Sequence, residues 1–282
     1  MDIGIVVLPT DTSARIDELA IEAEDRGLTH LYVGGDHTHI PVNRVSPFPG
    51  GSDLPEEYKR TYDPLVAITA AAARTSRIRL GTCIHLTAQR DPFTTAKQIA
   101  SIAAIAPGRI DYGVGYGWNA EEAANHGVEW RTRRSRVREH IGAMRALWTE
   151  DEASFSGEYV SFEPVWTWPK PTPQPRVILG AGPTQRTFDA IAAWADGWFP
   201  VPFGGDTPAH AAELHRVAAE RGRDPKDVAV IVDGVLTDPA MIDPWAEADT
   251  PIESVLVVVP SLPLGDVLGQ LDAAAALIDR YR

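Results

Sequence analysis

Asp36, His37 and His39, in the run Gly34-Gly-Asp-His-Thr-His39, are the first residues along this chain able to do chemistry. An imidazole titrates near neutrality, so His37 suits taking or returning a proton; Asp36 suits orienting it or accepting backbone N–H bonds in the turn. Two histidines in an HxH pattern also suit zinc, but such a site needs further imidazoles and carboxylates at later strands. No histidine falls between His140 and His210, and the late apolar run ends Val259-Pro-Ser261 without an aspartate. No metal is therefore expected. Two glycine loops offer different chemistry. Gly113-Val-Gly115-Tyr116-Gly117-Trp118 leaves a strand exit bare of side chains, open to a flat or phosphorylated ligand. Gly180-Ala181-Gly182-Pro183-Thr184 opens a helix whose free N–H groups and dipole suit a phosphate. Either loop alone also matches an ordinary bend or turn between strand and helix. Arg131, Arg133, Arg134, Arg136 and Arg138 crowd one helix; an ion-paired, solvated face is the default, with one or two reaching an anionic tail. The sequence has no GxSxG, and its single cysteine, Cys83, lies inside a strand run, so no nucleophilic triad is evident. A cofactor that does the chemistry while the protein positions it fits this inventory.

The elements that must position these residues follow from periodicity. The stretch 77–118 reads as strand, helix, strand, glycine loop: apolar residues alternate over 78–84, recur at helical spacing over 92–105, and Pro107-Gly108 stops the helix. The same alternation runs through the chain. Strands are expected at 3–8, 31–33, 109–114, 176–179, 197–200, 228–232 and 255–259. Helices are expected at 16–27, 65–73, 131–148, 185–195, 208–221, 239–248 and 265–281, the second capped by Asp63 with Pro64 behind it. Residues 155–162 read as a small hairpin and 164–175 as a connector rich in proline and tryptophan. Residues 41–62 carry no period and suit a long loop acting as wall or lid. Eight strands alternating with eight helices predict a single-domain α/β (β/α)8 barrel over 1–282, with insertion loops and the site at the C-terminal face. A doubly wound sheet would place its glycines after the first strand, not the fourth.

Composition agrees with a soluble globular protein. Hydrophobic residues are 44% of 282 and charged ones 23%, enough for a large core. A net charge of -13 argues against nucleic-acid and acidic-membrane partners and requires an anionic ligand to find a local basic pocket. One cysteine, no basic leader before an apolar stretch and no long apolar segment lead us to expect a cytoplasmic protein.

Taken together, Gly34-Gly-Asp-His37, Asp63-Pro-Leu65, Arg79-Leu-Gly-Thr-Cys-Ile84, Arg90-Asp-Pro92, Pro107-Gly-Arg109, Gly113-Val-Gly-Tyr-Gly-Trp-Asn119 and Leu147-Trp148 leading to Phe155-Ser-Gly-Glu-Tyr159 resemble the luciferase-like monooxygenase superfamily. The likeness runs from residue 1 to about 200 and is greatest to oxidoreductases that use the deazaflavin coenzyme F420. It implies a TIM barrel with the flavin ring across the strand ends and a cis peptide at Cys83-Ile84 against it. His37 is implied beside the reactive carbon as catalytic residue. Cofactor contacts are implied at Asp36, Cys83, Ile84, Gly115, Tyr116, Gly117, Asn119, Gly180, Ala181, Gly182 and Thr184. The family's sugar-phosphate dehydrogenases carry a Trp soon after the His and an acidic residue at the position of Tyr116; this chain has neither, which argues against that substrate. Ala103 and Ala106 also depart from the family pattern. The reading is thus an F420-dependent oxidoreductase passing hydride to or from a small organic substrate, with two alternatives: an FMN monooxygenase and a cofactor-binding barrel without turnover. A homodimer is expected.

Overall fold

The computed structural model describes residues 1–51, 53–200 and 206–282. The first half of the chain forms β1 (Asp2–Val7), α1 (Ile16–Asp25), β2 (His30–Val33), α2 (Pro64–Ala72), β3 (Arg79–Thr82), α3 (Pro92–Ile105), β4 (Ile110–Gly115), α4 (Ala120–Asn125) and α5 (Arg133–Thr149). The hairpin β5 (Ala153–Ser156) and β6 (Ser161–Val165) follows, then β7 (Arg176–Gly180), α6 (Gln185–Trp194), β8 (Gly197–Phe199) and α7 (Thr207–Glu220). The chain ends with β9 (Ala229–Val235), α8 (Pro239–Ala246), β10 (Ser254–Val259) and α9 (Leu264–Tyr281). The strands other than the hairpin close into one parallel barrel in the order β1, β2, β3, β4, β7, β8, β9, β10. The expected (β/α)8 architecture is therefore present.

Local chemistry explains several boundaries. Asp63 accepts the Leu65 and Val66 N–H groups at the start of α2, Asp91 accepts that of Thr94 at α3, and each cap precedes a proline whose missing donor costs nothing there. The helix α4 was not anticipated. Asn119 caps it by accepting the Glu122 N–H at 3.1 Å, and Gly127, at φ 70°, ends it. Because β4 pairs with β7 from Asp111↔Arg176 to Gly115↔Gly180, the two glycine loops leave the barrel side by side although 65 residues separate them.

Inside the barrel, Tyr32, Ile178, Phe199, Ile231 and Leu256 pack as one cluster, while a larger apolar shell lies between strands and helices. Gly81 makes room for the Tyr32 ring, since a Cβ there would lie 2.0 Å from a ring carbon. At the N-terminal end of the strands, Tyr32 donates its hydroxyl to Asp111 at 2.5 Å, and Arg79 and Arg176 clasp the same carboxylate at 2.6 and 2.9 Å. Burial pushes the Asp111 carboxyl up, but the two arginines outweigh it and hold it well below the usual carboxylate range. Among the described residues no helix is long and apolar enough to cross a membrane.

Candidate active site

β3 ends at Thr82, earlier than its apolar run suggests, and the Cys83-Ile84 peptide is cis, as the resemblance implies. The Ile84 side chain then lies across the exits of β4 and β7. A Cβ on Gly115 or Gly180 would come within 2.4 or 2.6 Å of Ile84 carbons, and one on Gly113 within 1.9 Å of the Thr82 carbonyl oxygen. These glycines are bare in part for the protein's own packing, with Ile84 set against Gly115 and Gly180. Gly182 differs. A Cβ on it would meet nothing within 4 Å.

Above this floor opens a cavity of about 560 Å³, within the range of small-molecule and cofactor sites. Cys83, Ile84, Gly115, Tyr116, Gly117, Gly180, Ala181 and Gly182 all line it, as expected, joined by Phe199, Trp118, Arg133, Arg134 and Asp233. Three expected contacts do not line it. Asp36 is buried beside the site, where it accepts the Leu86 N–H at 2.6 Å and pairs with Arg90, fastening the β2 exit to the segment after β3. Asn119 spends its carbonyl oxygen on α4, and Thr184 accepts the Thr187 N–H to cap α6.

His37 is likewise not among the lining residues. Its Nε2 accepts the Trp118 indole N–H at 3.1 Å, so Nδ1 carries the proton and donates to buried Glu122 at 2.7 Å. Both ring nitrogens are engaged. Beside them, in the segment 41–62 expected as a wall or lid, Phe48 packs edge-on against Tyr58 and Trp118 at 4.9 and 5.6 Å. The other histidines lie elsewhere. His85 is buried against Tyr112 and Asp36, while His39 and His126 share the Thr38 hydroxyl at the rim. His39, His126 and Glu122 offer ligand atoms within 4.8 Å of one another, but the Glu122 oxygens already accept the Thr38 N–H and the His37 proton.

The electrostatics divide the cavity. At its mouth, Arg133 stacks on Trp130 at 3.7 Å and Arg134 on Tyr116 at 4.5 Å. The ion-paired face expected for this helix holds for Arg131, which pairs with Glu129; among the described residues Arg133 and Arg134 form no ion pair, and Arg133 Nε is buried without a partner. Burial, with Arg134 and Arg186 nearby, lowers the Arg133 pKa. Past Tyr116 a second hollow of about 220 Å³ is lined by Arg134, Arg138, Arg186, Ser135 and Asp189, the last paired with Arg221. Beside Cys83 stands Asp233, whose carboxyl burial pushes up to about 6, the Cys83 thiol and the Gly234 N–H drawing it back only in part. Burial, then Asp233, raises the Cys83 thiol well above its usual range.

Sequence reasoning missed Asp233 and Glu122. The signal for Asp233 was an acid inside the apolar run Ala229-Val-Ile-Val-Asp233, and for Glu122 the spacing Asn119-x-x-Glu122. Ala103 and Ala106, which depart from the family pattern, are buried on α3 and at its end; Ala103 borders a hollow with Arg79 and Gly108 at the far end of the barrel.

Comparison with known proteins gives a consistent result. A family description, luciferase-like monooxygenase, matches residues 1–237. An uncharacterized protein of Mycobacterium tuberculosis is 40% identical over 282 residues, spanning 98% of both chains. An F420-dependent glucose-6-phosphate dehydrogenase of Amycolatopsis mediterranei is 31% identical over 178 residues, 61% of this chain and 49% of that one. The crystal structure of the monooxygenase RslO1 from Streptomyces bottropensis superposes over the full length of both chains with a TM-score of 0.81 at 21% identity.

Proposed function

The chain belongs to the luciferase-like monooxygenase family, and on that premise we propose that it is an oxidoreductase using the deazaflavin F420 to move a hydride to or from a small organic substrate. The observation that carries the choice of F420 over FMN is the row of arginines without ion pairs. Arg133 and Arg134 at the cavity mouth continue into the hollow of Arg138 and Arg186, in a chain of net charge -13. FMN ends in one phosphate, whereas F420 continues past its phosphate into further carboxylates, and a basic track that outlasts one phosphate suits the longer anionic tail. The sequence similarity to an F420-dependent dehydrogenase supports the same choice.

The residues present fit such a group. Ile84, Phe199 and Ala181 give an apolar bed, the space beside Gly182 is open, and the orphaned Arg133 Nε is a donor awaiting an acceptor. When bound, a deazaflavin supplies hydride transfer and little oxygen chemistry, because carbon replaces the reactive nitrogen of FMN. This chain's own contributions are binding, orientation and exclusion of water. Trp118, held by His37 and Glu122, walls one side, and Tyr116, under Arg134, forms the passage to the tail hollow. His37 acts here by positioning Trp118, since neither nitrogen is free.

Titrating the ligand-free protein with F420 and with FMN, followed by fluorescence quenching, tests this reading. It predicts saturable F420 binding at least tenfold tighter than FMN, a gap of about 1.4 kcal/mol. Tighter FMN binding would favour the monooxygenase alternative.

A further inference from the structure

We propose that Asp233 exchanges a proton with the substrate, and that the substrate is a neutral molecule bearing a hydroxyl or carbonyl group on the Asp233 and Cys83 side of the cavity. This rests on the functional reading above. Asp233 is the one carboxylate among the residues that line the cavity. Its backbone is fixed by the bond from its N–H to the Pro200 carbonyl at 3.1 Å, and it sits with Gly234, at φ 80°, where the register of β9 against β10 shifts. The titratable groups facing it among the described residues are the Cys83 thiol at the end of β3 and the Tyr58 hydroxyl from the loop wall. No cation pairs with it there. An acid held only by a thiol and a backbone N–H, without an ion-pair partner among the described residues and opening onto a ligand cavity, marks a functional group.

Elimination strengthens the assignment. His37 has both nitrogens engaged, His85 is buried against Tyr112, and His39 sits at the rim beside His126. No arginine is among the groups that act on the Asp233 carboxyl, so the cavity offers a cationic part for the cofactor tail and, at Asp233 and Cys83, an acidic part for the substrate. A phosphorylated or carboxylate substrate would meet a like charge at Asp233 and be rejected. With its carboxyl pushed up to about 6, Asp233 holds and releases a proton near neutral pH, where acid–base catalysis is most effective. In the oxidising direction, the alcohol's O–H proton passes to the Asp233 carboxylate while its C–H hydrogen leaves with the bonding electron pair to the oxidised deazaflavin or flavin. The product carbonyl has two electrons and two hydrogens fewer, and Asp233 returns its proton to water. Reduction of a carbonyl runs the same steps backwards.

The test compares wild type, Asp233→Asn and His37→Asn, each loaded with F420 and offered short secondary alcohols such as 2-propanol and cyclohexanol. Alcohol binding is read from cofactor fluorescence and oxidation from pH profiles of kcat. Infrared spectra of the ligand-free proteins read the carboxyl directly. Wild type should show a carboxyl titrating near pH 6, absent from Asp233→Asn, and a kcat rising through the same pH. Asp233→Asn should still bind F420 but lose that rise and about a hundredfold in kcat, whereas His37→Asn should keep the rise. An unchanged profile in cofactor-loaded Asp233→Asn, or no carboxyl titrating near neutrality in wild type, overturns the assignment. Alcohols that neither bind nor react with F420-loaded wild type overturn the substrate class. Wild type that binds neither F420 nor FMN overturns instead the functional reading beneath it.

Discussion

Asp111 and Asp233 are the same side chain at opposite ends of one barrel, and their surroundings give them opposite character. Asp111, at the start of β4, is held between Arg79 and Arg176 with the Tyr32 hydroxyl, and Glu253 completes the cluster at 2.9 Å from Arg176. Asp233, near the end of β9, has a thiol and a phenol for neighbours. One carboxyl is driven well below its ordinary range and the other up to about 6. The charges of this cluster are matched, and it ties β3, β4 and β7 together at the N-terminal end. At the C-terminal end, acid and arginines line one cavity, each lacking an ion-pair partner among the described residues. Paired charge serves the fold; unpaired charge awaits a ligand.

The largest effect is expected at the paired end. Asp111→Asn leaves two guanidiniums facing a neutral amide and should cost about 3 to 5 kcal/mol, read as a fall in the urea midpoint. A loss below about 1 kcal/mol would erase the contrast between the two ends.

Asp233 should behave in the opposite sense. Its folded pKa of about 6 lies above the unfolded value of 3.8, so the folded state binds the extra proton and stability is lost as pH rises through that window. Asp233→Asn removes this loss. The variant should match wild type in thermal stability below the lower value, gain on it as pH rises, and level off at about 2 to 3 kcal/mol above neutrality. A variant less stable than wild type at neutral pH would mean that Asp233 is paired after all.

Much of this division was legible in the sequence, for different reasons in different places. The alternation of strands and helices fixed the barrel because each period is a local property, and the glycine loops after β4 and β7 stood out because turns are written in local residue types. What local residue types do not show is a partner far along the chain. Asp36, implied as a cofactor contact, is paired with Arg90 and the Leu86 N–H, 54 and 50 residues away. His37, implied as the catalytic residue, has its nitrogens held by Glu122 and Trp118, 85 and 81 residues on. Asn119, implied as a cofactor contact, gives its carbonyl oxygen to α4, a helix too short to show a period. Asp233 was overlooked because a lone acid in an apolar strand has no local partner to advertise its role.

The smallest expected effect is steric. Gly182→Phe places a ring where a Cβ has open space, so folding should be untouched while F420 affinity falls about tenfold by fluorescence titration. Unchanged affinity would place the ligand away from the α6 end of the cavity.

The central claim is that the arginines without ion pairs at the C-terminal end exist for an anionic cofactor tail. Its most direct test is the F420 affinity of Arg133→Ala, Arg134→Ala beside wild type at low salt, with unfolding midpoints measured in parallel. Each charge-assisted bond lost is worth about 1.5 to 3 kcal/mol, so affinity should fall by about tenfold to more than a hundredfold with the midpoint nearly unchanged. Equal F420 affinity in the two proteins would contradict the account.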